Sequence, residues 1–151
     1  MKLSEIVTEL KAAKINYMIV GGYAVNFHGY SRNTVDIDLI IKLTLANLKK
    51  VEKILNGLGM VSKLPIDAIS VFNFREEYIQ HRNMIAWDFY SEEDPTDQVD
   101  ILITHDVSDF KAEKFKVGDM IFKVISKDDL IAMKKESGRE KDLLDIKELS
   151  K

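Results

Sequence analysis

The hydrophobic and polar positions of the chain repeat with two periods, that of an amphipathic helix and that of a strand. Helical spacing predicts helices over residues 3–14, 45–58, 126–138 and 139–149. Alternating or continuous apolar runs predict strands over residues 17–20, 36–41, 84–90, 98–103, 115–117 and 121–125. Helices and strands interspersed along one chain predict an α/β (α+β) fold.

Two segments are read less directly from the pattern. We expect residues 61–82 to be helical, with Pro65 opening a first helix and residues 75–82 forming another, although residues 69–74 also alternate like a strand. The basic residues here are candidates for phosphate contacts or form a solvated helix face: Arg75, His81 and Arg82. In the last helix we expect Leu143, Ile146 and Leu149 to form the apolar stripe, beside Asp142 and Asp145.

Two acids stand two positions apart in the strand predicted at residues 36–41. Side chains at positions i and i+2 of a strand point to the same face, so Asp36 and Asp38 project side by side. Two like charges this close repel each other. Either both face solvent, or a divalent cation offsets the repulsion, and carboxylate oxygens suit Mg²⁺.

A glycine pair and a third acid extend this pattern. Gly21-Gly22 follows the strand at residues 17–20 and precedes a helix predicted over residues 23–29, where backbone N–H groups can approach an anion. Asp100 lies between apolar residues in another strand. If that strand pairs beside the one with Asp36 and Asp38, three carboxylates converge; otherwise Asp100 is an exposed acid at a sheet end.

Composition agrees with a globular protein and excludes several classes. The 151 residues fit one domain, residues 1–151, with 46% apolar residues and a net charge of −3, which gives no overall basic surface for nucleic acid. The chain has no cysteine, no apolar run of the ~20 residues that a membrane span requires, and no signal peptide. We therefore expect a cytoplasmic protein without a membrane partner.

The spacing of the glycines and the three acids resembles that of the DNA polymerase β-like nucleotidyltransferases. The matching residues are Val20-Gly21-Gly22, then Asp36-Ile37-Asp38, then Val99-Asp100-Ile101, in that order. Ala24, His28-Gly29, Arg32 and Thr34 look like the small bacterial and archaeal members, which include minimal nucleotidyltransferases and abortive-infection toxins of toxin–antitoxin pairs. The resemblance implies a nucleotidyltransferase fold, with a mixed, mainly antiparallel central sheet flanked by helices.

The resemblance also implies roles for individual residues. Asp36, Asp38 and Asp100 would be the catalytic acids and would hold two Mg²⁺ ions. The expected nucleotide-binding residues are Gly21, Gly22, Arg32 and Lys134. Lys134, Arg139, Lys141-Asp142 and Asp145 loosely match a pattern of the related toxins, in which the lysine reaches the triphosphate; the alternative is surface charge with i,i+3 pairing. His28 either lines the nucleotide site or makes a structural hydrogen bond.

The implied reaction is transfer of an NMP from an NTP to an acceptor hydroxyl, with pyrophosphate released. The acceptor stays open among an RNA 3′ end, a protein side chain and a small molecule such as an antibiotic. A partner protein or a homodimer would complete the site, because no separate acceptor-binding segment is evident. Two alternatives remain at this point: an inactive nucleotide- or partner-binding module, and a metal-dependent phosphohydrolase.

Overall fold

The computed structural model describes residues 2–151 as a seven-stranded sheet flanked by helices. The helices are α1 (Lys2–Ala12), α2 (Gly21–Phe27), α3 (Leu45–Gly57), α4 (Ala68–Arg82), α5 (Lys127–Ser137) and α6 (Glu140–Leu149). The strands are β1 (Tyr17–Val20), β2 (Ile37–Ile41), β3 (Met60–Ser62), β4 (Ala86–Ser91), β5 (Gln98–Leu102), β6 (Ala112–Val117) and β7 (Met120–Ile125). No helix within residues 2–151 is long and apolar enough to cross a membrane.

The strands are ordered β3-β4-β5-β2-β1-β7-β6 across the sheet. The pairs β1–β7 and β2–β5 are parallel, and the other four neighbouring pairs are antiparallel. This confirms the predicted α/β fold with a mixed, mainly antiparallel sheet. It also puts β5 directly beside β2, the neighbour that the convergence of the acids requires.

The two faces of the sheet differ sharply in the strands β2, β4 and β5. Alternate residues of these strands are buried and apolar: Ile37, Leu39, Ile41, Trp87, Phe89, Val99 and Ile101. Helices α1, α3 and α4 pack together over this face and complete the core. The intervening residues point to the opposite face, where α2, α5 and α6 lie. The acids are therefore carried by strands whose other side is a closed apolar core.

Two boundaries in the glycine and acid region differ from the prediction. Helix α2 begins at Gly21, directly after Val20, and not at Tyr23. Strand β2 begins at Ile37, so Asp36 stands just before the strand and not within it. Val35, which a strand beginning earlier would have buried, is 61% exposed. The backbone bends at Asp36, so its carboxylate does not share the regular spacing of Asp38.

The segment from 61 to 82 is one helix preceded by a short strand. Strand β3, only three residues long, was not predicted and pairs with β4 at the edge of the sheet. Helix α4 begins after Asp67, whose side chain accepts a hydrogen bond from the Ser70 amide, and not at Pro65. The backbone is non-helical at Phe74, which divides α4 into two parts. The expectation of helix is confirmed and its start is corrected.

The buried face of α6 differs from the predicted apolar stripe. Leu143 is 57% exposed, whereas Asp142 and Asp145 are each 1% exposed, as is Leu149. The prediction that Leu143 belongs to the buried stripe is therefore wrong. The acids are buried because cations from two other segments lie against them, and α6 turns its acidic side inwards to meet those cations.

Candidate active site

A cleft of about 710 Å³ opens on the face of the sheet opposite the apolar core. Residues from the ends of β1 and β2, from β4 and β5, and from α5 and α6 line it. Its acidic residues from the sheet region are Asp36, Asp38, Asp88 and Asp100. Its basic residues are Arg32, Lys134, Arg139 and Lys141. All three predicted acids and all four predicted nucleotide-binding residues are thus in one cleft.

The sheet register places three of the carboxylates in a row across adjacent strands. Asp38 in β2 stands opposite Asp100 in β5, and Asp100 stands opposite Asp88 in β4. Because neighbouring strands lie ~4.8 Å apart, the row covers two strand spacings. On the far side of Asp38, the facing residue of β1 is Val20, which directly precedes Gly21. The glycine turn and the acids therefore meet at one place on the sheet.

The acids in the row perturb one another. Burial and the negative charge of Asp100 raise the pKa of Asp38 to about 8. Burial and a hydrogen bond with Asp100 raise the pKa of Asp88 to about 7. Burial and the charge of Asp100 also raise the pKa of Asp36. Carboxylates this close cannot all ionise at neutral pH, so the row retains protons unless a cation neutralises it.

A second set of contacts orients Asp100. The Gln98 side-chain amide donates a hydrogen bond to Asp100 Oδ1 over 2.8 Å. Lys63 Nζ donates in turn to Gln98 Oε1 over 2.5 Å. Lys63 also acts electrostatically on Asp36 and Asp88, and it opposes the rise in the pKa of each. This lysine, which follows β3, therefore compensates part of the negative charge from outside the cleft.

At Gly21 and at Gly22, neighbouring side-chain atoms occupy the space that a Cβ would need. Gly21 has φ +68°, and a Cβ there would lie 2.0 Å from Asp38 Oδ2. A Cβ at Gly22 would lie 2.5 Å from Thr34 Oγ1 and 3.3 Å from an Arg32 terminal nitrogen. The first glycine allows the backbone to lie against a carboxylate, and the second allows the segment before β2 to pack on α2.

The basic side of the cleft is an ion-pair cluster between α5, α6 and the segment before β2. Lys134 Nζ lies 2.9 Å from Asp145 Oδ2 and 3.4 Å from Asp142 Oδ1. Arg32 Nη1 lies 2.5 Å from Asp145 Oδ2, and Arg139 Nε lies 2.8 Å from Asp142 Oδ2. Lys134 is only 7% exposed. The interpretation of Lys134 as surface charge is therefore wrong, whereas the ion pairing is present.

Four other basic candidates are not part of this cleft. Arg75 Nε donates to the Ile103 carbonyl over 2.5 Å, and neither it nor His81 or Arg82 lines the cleft. The solvated-face interpretation fits His81 and Arg82, which are exposed. His28 Nε2 hydrogen-bonds to the Ile125 carbonyl over 2.8 Å and packs on Phe115, so it is a structural histidine.

Asp88 lines the cleft although it was not among the residues predicted from the sequence. The signal was present, because Trp87 and Phe89 on one face of a strand place residue 88 on the other. What was missing was the register, which sets Asp88 opposite Asp100. An acid between two buried aromatic residues in a central strand is the pattern that would have identified it.

The carboxylates of the cleft have the chemistry of a divalent-cation site. Four carboxylates of the sheet region border one cleft, and burial together with the proximity of Asp100 raises the pKa of Asp38 and of Asp88, which a bound cation would oppose. Among residues 2–151, no three acidic or histidine side chains already form a metal cage. The carboxylates instead lie within hydrogen-bonding reach of one another. The residues therefore fit Mg²⁺ in kind, although their side chains are not arranged around an ion.

The fold is that of the nucleotidyltransferases, as the resemblance predicts. No model of a known protein family matches the chain, and no curated protein sequence matches it. Among solved structures, the lincosamide antibiotic adenylyltransferase LnuA, bound to lincomycin, is 19% identical, with 98% of this chain and 94% of that chain covered and a TM-score of 0.66. ANT(2″)-Ia in complex with adenylyl-2″-tobramycin is 12% identical over 97% and 84%, with a TM-score of 0.64. A nucleotidyltransferase-like protein from Paracoccidioides brasiliensis is 16% identical over 98% and 73%, with a TM-score of 0.59.

Proposed function

We propose that the protein is a nucleotidyltransferase that moves an NMP from an NTP to an acceptor hydroxyl. The acceptor oxygen attacks the α-phosphorus, the bond from that phosphorus to the bridging oxygen breaks, pyrophosphate leaves and the acceptor proton is lost. The observation that carries the proposal is the row of carboxylates in register, directly beside the backbone at Gly21, on this fold.

The two ends of the cleft differ in charge, and this difference supports a different substrate at each end. Arg32, Lys134, Arg139 and Lys141 come from α5, α6 and the segment before β2, next to the glycines, and suit the triphosphate. The β4 end is lined by Ile85, Ala86 and Leu102 with Asp88, and by no lysine or arginine of the described residues. An acceptor at that end is met by apolar surface and a carboxylate.

Mg²⁺ held by Asp36, Asp38 and Asp100 would neutralise phosphate charge and lower the pKa of the acceptor hydroxyl. The protein's own residues do the positioning. Gly21 allows the backbone at the start of α2 to lie against the Asp38 carboxylate, and Gly22 allows Thr34 and Arg32 to pack there. The cation cluster binds the phosphate oxygens from the α5–α6 side. Asp88 lies at the acceptor end of the row and accepts a hydrogen bond from the incoming hydroxyl.

We propose a small-molecule hydroxyl as the first acceptor to test. The structures of LnuA and ANT(2″)-Ia contain lincomycin and an adenylylated tobramycin. Among the described residues, no lysine or arginine lines the β4 end of this cleft, although Lys63 acts electrostatically on Asp88, whereas an RNA acceptor needs several cations for its phosphate backbone. The same experiment also tests RNA and protein acceptors, and with them a role as a toxin.

The test is transfer from each of four α-³²P-labelled NTPs with Mg²⁺, against a panel of hydroxyl-bearing antibiotics, total RNA and cell lysate. A labelled acceptor together with pyrophosphate is expected. Asp38→Ala and Asp36→Ala are expected to remove transfer while leaving the circular dichroism spectrum unchanged. Transfer retained by either variant would remove the assignment of these acids.

The other products distinguish the alternatives. Release of inorganic phosphate without a labelled acceptor would identify a phosphohydrolase. Saturable nucleotide binding without any product, across the whole panel, would identify a binding module. Omission of Mg²⁺ with EDTA present should abolish transfer, and unchanged transfer in EDTA would remove the metal from the proposal.

A further inference from the structure

Asp145 lies behind the cleft and not in its wall. It is 1% exposed and is not among the residues that line the cleft, whereas Arg32 and Lys134, its two partners, are. One oxygen, Oδ2, contacts both partners, at 2.5 Å from Arg32 Nη1 and 2.9 Å from Lys134 Nζ. A single buried oxygen thus joins the segment before β2, helix α5 and helix α6.

The neighbouring acid on α6 has a different arrangement. Asp142 lines the cleft and accepts hydrogen bonds from the side chain and the amide of Arg139, the residue directly before α6, so most of its contacts are local. Lys134 Nζ is farther from Asp142 than from Asp145, at 3.4 Å against 2.9 Å. Asp145 is therefore the residue that links distant parts of the chain.

Buried charge is costly, which makes a purely structural explanation of Asp145 weak. An isolated buried carboxylate is strongly unfavourable, and well-packed apolar residues commonly replace a buried ion pair without loss of stability. The cluster contains three cations, Arg32, Lys134 and Arg139, but two acids. One positive charge is left over, and all three cations border the cleft. The excess suits an anionic ligand.

The cluster also reaches the acidic row electrostatically. The charge of Lys134 opposes the rise in the pKa of Asp38. The hydrogen bond with Asp142 chiefly raises the pKa of Arg139, and the charge of Asp38 adds to that rise. A Cβ built at Gly22 would lie 3.3 Å from a terminal nitrogen of Arg32, so the guanidinium lies close to the start of α2 as well as to Asp145. The position of Arg32 is thus defined by two contacts.

We propose that Asp145 is a positioning residue that holds Arg32 and Lys134 in the orientation that binds the phosphates of the nucleotide. This rests on the proposed function, because it assumes that the cations bind a triphosphate. Asp145 itself touches no substrate. It lowers the conformational freedom of two long side chains before the ligand arrives, which is the contribution of preorganisation to binding and catalysis.

The test compares Asp145→Asn with wild type by calorimetry, using inorganic tripolyphosphate with Mg²⁺ as the probe, which requires neither a known base nor a known acceptor. Asparagine keeps the size of the side chain but removes the charge that pairs with two cations. We expect tripolyphosphate to bind about 10- to 100-fold more weakly, since the loss of one hydrogen bond to a charged group has an effect of that size. In transfer assays the KM for the NTP should rise by a similar factor, and the KM for the acceptor should not change.

Two further variants keep the result interpretable. Asp145→Glu retains the charge at a shifted position, so it should fold and should weaken tripolyphosphate binding less than Asp145→Asn does. Asp128→Asn changes the same residue type at an exposed position of α5 outside the cleft and should bind as wild type does.

Wild-type affinity for tripolyphosphate in both Asp145 variants would overturn the inference, as would an equal rise in the KM of both substrates. If wild type itself neither binds tripolyphosphate nor transfers a nucleotide, the proposed function fails and the inference falls with it. If wild type transfers a nucleotide and the Asp145 variants behave as wild type does, the inference fails and the proposed function stands.

Discussion

Strands β2, β4 and β5 carry an apolar surface on one face and an acidic surface on the other. On one face, Trp87 and Phe89 of β4 are fully buried with their rings 4.6 Å apart. On the other face, Asp88, between them in sequence, opposes Asp100 in the cleft. Strand alternation alone separates the two, because successive side chains point to opposite faces.

The difference between the faces separates the surface that stabilises the fold from the surface that destabilises it. The apolar face buries large apolar side chains and provides the rigid platform. The acidic face holds like charges at strand spacing, which destabilises the fold but suits a cation and a phosphate. A site carried on central strands is held more precisely than one on loops. Substitutions on the two faces should therefore have opposite effects.

The largest effect on stability is expected from Trp87→Ala. The change removes a fully buried indole and its hydrogen bond to Ser62 Oγ, which is 3.1 Å long. We expect the free energy of unfolding to fall by about 3–5 kcal/mol. Since Trp87 is the one tryptophan of the chain, urea unfolding should be followed by circular dichroism and not by tryptophan fluorescence.

The adjacent residue gives the matched comparison. Asp88→Asn should leave the free energy of unfolding unchanged or higher at pH 8 and should lower transfer. A loss of stability in Asp88→Asn as large as that of Trp87→Ala would contradict the division between the two faces.

A smaller loss of stability is expected from Gly21→Ala. Gly21 directly follows β1 and lies against the Asp38 carboxylate. Alanine in the left-handed region costs about 1–2 kcal/mol, and its Cβ would displace the Asp38 carboxylate. Transfer should fall on the order of 100-fold because a catalytic group moves. Gly118→Ala is the control, because Gly118 has φ +61° and a Cβ added there would meet nothing within 4 Å. It should lose similar stability and no transfer; equal loss of transfer in both would refute the close-approach argument.

The parts of the fold that follow from local pattern were predictable from the sequence. The alternation around Asp38 and Asp100 and the turn at Gly118 depend on neighbours in sequence, and the structure has them where the pattern places them. Strand β3 was missed because three residues are too few to show a period. The strand is stabilised by its pairing with β4, which its own three residues do not reveal.

The parts that depend on distant partners were not predictable. Helical periodicity offers α6 an apolar stripe through Leu143 and an acidic one through Asp142 and Asp145, and it does not say which is buried. The choice depends on Arg32, which is 113 residues from Asp145 in sequence. Asp88 was overlooked for a similar reason, since its role depends on the register with β5.

A gain of stability, and not a loss, is expected of Asp38→Asn, and this gain depends on pH. In wild type the pKa of Asp38 is about 8 in the folded state, because of burial and the charge of Asp100, against 3.8 when unperturbed. The folded state thus binds a proton that the unfolded state has lost between those values. The free energy of unfolding of wild type should therefore fall as pH rises from about 4 to about 8.

Asparagine does not ionise, so Asp38→Asn removes this slope. Without metal, in EDTA, the free energy of unfolding of the variant should exceed that of wild type by at least ~1 kcal/mol at pH 8, since one pKa unit corresponds to about 1.4 kcal/mol, and the gain should vanish near pH 4.

Asp106→Asn should change stability with the opposite sign. Burial raises the pKa of Asp106, but hydrogen bonds from the Leu43 and Ser108 amides outweigh burial and lower it. That variant should lose stability above pH 4 and match wild type at lower pH. Urea unfolding at about pH 2.5, 4, 6 and 8 measures both. Parallel curves for wild type and Asp38→Asn would show that ionisation of Asp38 does not destabilise the fold.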